Sequence, residues 1–107
     1  MKIRTTSAAE LEVANAALSY DLLRLGLGAA FIDEVEKTYA AIEKGPQTYP
    51  RLQMEGINVS ENVRFAKTKR FPFLVIFRES ADECEISAIR HAHSDLASLL
   101  TRYSTDE

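Results

Sequence analysis

Four cationic side chains, Arg64, Lys67, Lys69 and Arg70, fall within seven residues with no acid among them, in a chain whose formal net charge is -3. Such a cluster can hold phosphate groups, stabilise charge that develops in a reaction, or meet an acidic protein partner. The competing reading is a set of solvated charges on an exposed hairpin, or cations that keep a sheet edge from pairing with other chains. The acidity of the rest of the chain tilts the balance toward function. A second group lies near the C-terminal end, where Arg90, His91 and His93 follow one another closely. Imidazole titrates near neutrality, so either histidine could act as a general acid or base. The candidates for catalysis are therefore Lys67, Arg70 and His91, and those for binding are Arg64, Lys67, Lys69, Arg70, Arg90 and His93. His91 and His93 share a strand parity and Asp95 follows, but two imidazoles with no supporting third ligand do not make a metal site. Neither a metal nor a cofactor is expected.

These residues need a frame. Phe71 to Phe77 is a short, almost continuous apolar run of aromatic and β-branched residues, which fits a central strand covered on both faces. Before it, residues 62–68 read as a strand; if that strand reached Lys69, Lys67 and Lys69 would project together and Arg64 oppositely. A turn at Lys69 to Pro72 joins the two, and after a second turn at Glu79 to Glu83 a last strand runs from Cys84 to about His91. Such short connections imply antiparallel hairpins.

Upstream, Lys2 to Thr6 reads as an edge strand, and Ser7 with Glu10 has the spacing of a capping box at a helix start. Leu11, Ala14, Leu18, Leu22 and Leu25 then form a stripe at helical spacing, expected to face the core, with Glu10, Glu12, Asp21 and Arg24 on the wetter side. Gly26 and Gly28 allow a tight link to a second helix. That helix carries Phe31, Val35, Tyr39 and Ile42 on one face, an Asp33 and Lys37 pair on the other, and stops at Gly45-Pro46. Pro46 to Glu61 reads as an extended loop holding at most a short strand turn, with Tyr49 against the second helix. Ser94-Asp95 can cap a last short helix bearing Leu96, Leu99, Leu100 and Tyr103. The expected fold class is α+β, in the order β-α-α-β-β-β with a short C-terminal helix, an antiparallel sheet packed on a helical hairpin.

A length of 107 residues bounds this to one domain, residues 1–107. The chain has no long apolar run and no leader-like N-terminal pattern, so neither a membrane nor secretion is expected. A single cysteine, Cys84, has no disulfide partner within the chain and fits a reducing cytoplasm, where it reads as a small core hydrophobe.

Carried by these residues, the element order resembles the ParE/RelE superfamily of toxins from bacterial type II toxin-antitoxin modules. The matching features are Leu25-Gly26-Leu27-Gly28 followed by Phe31 and Glu34-Val35-Glu36; Ile42, Pro46 and Tyr49-Pro50; Val63-Arg64; Lys69-Arg70-Phe71-Pro72-Phe73; and His91. They span nearly the whole chain. The resemblance implies a cognate antitoxin whose C-terminal segment wraps across the helical hairpin and the sheet. It also implies one of two targets: DNA gyrase, for ParE-like members, or messenger RNA cut on the ribosome, for RelE-like ones. The glycine-rich link and the Lys69 to Phe73 segment look closer to ParE. Many members carry an arginine three residues after the last-strand histidine, then a proline; here Ser94 and Leu96 hold those places. A nuclease needs cations on the scissile phosphate and a base for the 2'-hydroxyl, so that loss bears harder on RNA cleavage than on gyrase binding. A member that binds antitoxin but has lost toxicity is compatible with it as well.

Overall fold

In a computed structural model of the chain, which describes residues 2–53 and 56–93, the elements are β1 (Lys2–Thr5), α1 (Ser7–Leu23), α2 (Leu27–Lys44), β2 (Val63–Lys67), β3 (Phe73–Glu79) and β4 (Glu83–His91). A single 3-10 turn at Pro46–Thr48 lies within the long loop. The four strands form one sheet in the order β1-β4-β3-β2. The expected antiparallel hairpins are β2 with β3 and β3 with β4. At the other edge the expectation needs correcting: β1 runs parallel to β4, with Ile3 opposite Cys84, so the sheet is mixed. The helical hairpin separates β1 from the other strands in sequence, and that crossover delivers it in the parallel sense. The last helix expected from Ser94 onward lies outside the described residues.

Leu74, Val75, Ile76 and Phe77 are all buried because β3 is an inner strand with both faces covered. Val75 and Phe77 point with Cys84, Ile86 and Ile89 into the cluster beneath the helices, which also holds Phe31, Val35 and Ile42. Leu74 and Ile76 point the other way, with Ala88, into a second cluster roofed by Leu52, Ile57 and Val59. The long loop is thus a lid on the second face of the sheet. It is pinned to the outer edge of β2 by an isolated bridge between Arg51 and Arg64, and by the Leu52 amide donating to the Val63 carbonyl at 2.9 Å. Tyr49 stands beside Thr38 and Ala41 of α2, as expected, and sets its ring against Phe77.

Two expectations for α1 are overturned. Its N-cap is Thr6, one residue before Ser7: the Thr6 hydroxyl accepts from the Ala9 amide at 3.1 Å, while the Glu10 carboxylate accepts from the Thr5 hydroxyl. More consequentially, the leucine stripe faces away from the core. Leu11, Leu18, Leu22 and Leu25 are 61%, 64%, 89% and 90% exposed. The buried face is made instead by Ala9 and Ala17 with Val13, Ala16 and Tyr20 packed beside them.

The reason is how closely the helices approach. A Cβ built on Gly28 would sit 2.4 Å from the Ala17 carbonyl oxygen and 2.9 Å from the Asp21 side chain, so α1 must offer small residues at the crossing. Asp21, assigned above to the wet side, closes the link: its Oδ1 accepts from the amides of Gly26 (3.1 Å) and Gly28 (2.8 Å) at the start of α2.

Candidate functional site: a basic cleft beside the β2–β3 hairpin

Thr68 ends the ladder between β2 and β3 and shapes the turn that follows. It is buried; its hydroxyl donates to the Phe71 carbonyl, and its amide donates to the Phe73 carbonyl at 3.0 Å. The turn is also held from outside. On α2, the Glu34 carboxylate oxygen Oε2 accepts from the backbone amides of Lys69 and Arg70, the latter at 2.8 Å. The hairpin is therefore fastened to the helical layer by its main chain, which leaves its side chains free to point outward.

Between this hairpin and the end of β4 lies an open cleft of about 520 Å³, lined by Lys67, Lys69, Arg70, Phe73 and His93 among others, with no acid among the described residues that line it. A smaller hollow of about 150 Å³ behind the hairpin shares Lys67 and Lys69 and adds Lys37 and Glu34. None of the ion pairs among the described residues uses Lys67, Lys69 or Arg70. The Arg70 guanidinium lies 5.5 Å from the centre of the Phe71 ring. Because β2 ends at Lys67, strand alternation does not set the direction of Lys69; the turn does.

At the far wall the rings of Phe73, His91 and His93 stand in a row, with neighbouring centroids 5.3 and 5.4 Å apart. The His93 amide donates to His91 Nδ1 at 3.1 Å. Phe73 continues into an aromatic group with Tyr20, Phe31 and Phe71 under the cleft floor.

Lys67, Lys69, Arg70, His91 and His93 thus come together, whereas the other two expected binding residues are elsewhere. Arg64 is turned along the sheet, where its guanidinium pairs with Glu79 and donates to the Tyr49 carbonyl at 2.6 Å; its side chain is 19% exposed. Arg90 pairs with Glu12 of α1 at 3.1 Å, and the same carboxylate accepts from the Ile89 amide. Both arginines join layers of the fold. Glu34 and Thr68 are the residues that composition did not single out for the site. Glu34 acts from thirty-five residues away along the chain, and no local pattern marks such a contact. No group of three or more His, Cys, Asp or Glu side chains that could hold a metal ion occurs among the described residues. Nor, among them, is there a helix long and apolar enough to cross a membrane.

A helical hairpin on one face of a four-stranded mixed sheet, with the basic turn at the sheet's end, defines a ParE/RelE-like α+β fold. Among solved structures, the chain is similar to a chain of the chromosomal ParDE TA system from P. aeruginosa, with a TM-score of 0.73 over 87% of this chain and 97% of that one, at 17% sequence identity. No family model and no curated protein matches the sequence.

Proposed function

We propose that the chain is the toxin of a type II toxin-antitoxin module, ParE-like, acting in the cytoplasm by inhibiting DNA gyrase and neutralised by a cognate antitoxin. The observation that carries this reading is the near full-length likeness in fold to a chain of a ParDE system. Support for the partner comes from α1. Besides the buried alanine face, α1 presents Leu11, Leu18 and Leu22 to solvent on its opposite side, an apolar stripe that a partner can cover. Beside it lies a hollow of about 230 Å³ walled by Val13, Ile32, Val35 and Tyr39 and edged by Glu10 and Glu36. The antitoxin segment lays an apolar face along this ridge and hollow, in the helix-in-groove manner, and brings cations to the two glutamates. Gyrase is the target because binding alone suffices to inhibit it, and the cleft's cations, Lys67, Lys69 and Arg70, are suited to such a contact.

Messenger RNA cleavage on the ribosome is the second reading, favoured by one observation: Lys67, Lys69, Arg70 and His93 line a single cleft, with the His91 ring beside His93. A third, an antitoxin-binding member without toxicity, keeps the ridge and loses the target. Induction of the chain in bacteria, with and without its neighbouring antitoxin gene, separates them. Growth arrest relieved by the antitoxin, with purified gyrase losing supercoiling activity as the chain is added, is the expected result. Unaltered supercoiling together with cut messenger RNA would transfer the assignment to the second reading. Normal growth at confirmed expression, with tight antitoxin binding, would transfer it to the third.

A further inference from the structure

We infer that the outer face of α1 is a coiled-coil seam through which two copies of this chain pair, helix beside helix, parallel and in register. Leu11, Asn15, Leu18 and Leu22 follow one another at spacings of four, three and four residues, and all four are exposed. That is the a/d spacing of a heptad, with Leu11 and Leu18 at d and Asn15 and Leu22 at a. Val13 and Tyr20 fall at the f position, opposite the seam, and pack against the core. The fold uses one side of the helix and leaves the seam whole.

Residue types, charge and area identify the occupant as a second copy. Leucine at d favours two strands, and one asparagine at a fixes their register. In a parallel pair Asn15 meets the partner's Asn15; in an antiparallel pair it would face a leucine and leave its amide without a partner. The two acids that border the seam are turned away from it. Glu12 binds Arg90 and the Ile89 amide, and Asp21 accepts from the amides of Gly26 and Gly28, so like charges do not meet across the seam. Burying a leucine removes on the order of 100 Å² of apolar surface from water. The seam leucines of both copies, with Ala14, Asn15 and Ser19 beside them, come to roughly 1,000 Å², the threshold for specific association. A dimer of that size is weak enough for a tighter partner to open. Only this consequence rests on the toxin reading: the antitoxin and a second copy exclude each other on α1.

Sedimentation equilibrium of the full chain alone tests the pairing without reference to toxicity. The expected result is a monomer–dimer equilibrium with a Kd on the order of 10 μM. Leu18→Gln should weaken it by about tenfold or more, as loss at an interface centre does. Leu23→Gln, on a leucine that is also exposed but lies at b, should change it by less than about twofold. Asn15→Leu should tighten association and admit species larger than a dimer, a response that loss of a merely structural asparagine would not give. Orientation is read from Leu11→Cys: under a mild thiol oxidant it should form a covalent dimer by itself, since d faces d in a parallel pair and the native Cys84 is buried. A monomer at every concentration, equal loss in Leu18→Gln and Leu23→Gln, or cross-linking only when Leu11→Cys is mixed with Leu22→Cys overturns the inference. A monomer that Leu18→Gln destabilises also overturns it, and gives the ridge to residues 94–107 of the same chain. Added antitoxin should dissolve the dimer. A dimer that survives antitoxin binding supports the pairing and places the antitoxin off this ridge, and pairing without growth arrest refutes the toxin reading alone.

Discussion

Glu34 and Arg70 are joined through the backbone: the carboxylate of the one accepts the amide proton of the other at 2.8 Å, and the Arg70 side chain takes no part. The acid organises the basic turn without neutralising it. Hydrogen bonds to a charged acceptor are worth about 1.5–3 kcal/mol when well shielded. At this exposed turn, Glu34→Ala should cost about 1–2 kcal/mol, seen as a lower urea midpoint. Glu34→Gln retains an acceptor and should cost less. Equal loss in both variants would mean that the charge, and not the hydrogen bond, holds the turn.

The leucines of α1 offer a sharper contrast. If Leu18 and Leu22 were core residues, truncating either would cost about 2–5 kcal/mol. On the exposed ridge, Leu18→Gln and Leu22→Gln should each change stability by no more than about 0.5 kcal/mol. Antitoxin affinity, measured by calorimetry, should fall by about tenfold or more if the ridge lies at the centre of that interface. Full affinity in the double variant would place the antitoxin elsewhere.

Gly28 and Gly26 should respond to alanine for different reasons. At Gly28 the added methyl group collides with the Ala17 carbonyl, so the two helices must separate, at a cost of about 1–3 kcal/mol. At Gly26 there is open space, but φ is +95°, and the cost of about 1 kcal/mol is that of holding an L-residue in a left-handed conformation. Gly26→Asn should therefore recover part of the loss, while Gly28→Asn should be worse than Gly28→Ala. Thermal melts of the four variants check the order.

Burial, reinforced by Glu10 and Glu36, pushes the Tyr39 hydroxyl up to about 12. In the unfolded chain it titrates near about 10. The folded state thus holds this proton more tightly, so its contribution to stability is complete below about pH 10 and is lost as pH rises toward about 12. Tyr39→Phe should flatten the fall in stability over that window. Absorbance of tyrosinate, followed against pH in the wild type and Tyr39→Phe, reports the transition directly.

Much of this architecture was legible in the sequence, and the exceptions have a common cause. The Phe71 to Phe77 run identified an inner strand because four consecutive buried residues need cover on both faces, and the stripe through Phe31, Val35 and Ile42 oriented α2 correctly. On α1 two apolar stripes compete. Periodicity favours the leucines, which are larger, but only the alanine stripe allows the approach that Gly28 requires. That constraint belongs to the pair of helices and is absent from either alone. The site divides in the same way. Lys67, Lys69 and Arg70 cluster in sequence and in space because one turn carries them. Arg64 and Arg90 are drawn off by Glu79 and Glu12, acids brought near by the fold. No spacing rule along the chain distinguishes a cation that will find such a partner from one that will not.

The parallel seam between β1 and β4 sets a timetable for the molecule. Ile3 lies opposite Cys84 and Thr5 opposite Ile86, so β1 waits for β4 to be synthesised before it has anywhere to pair. At synthesis rates of about 5–20 residues per second, that interval is of the order of several seconds. Until then Ile3 lacks its seat beside Cys84, and the Ile89 amide is not yet present to meet Glu12. A nascent chain therefore cannot complete its sheet until β4 has been made, and the helical hairpin is synthesised before the seam that closes the sheet around it can form.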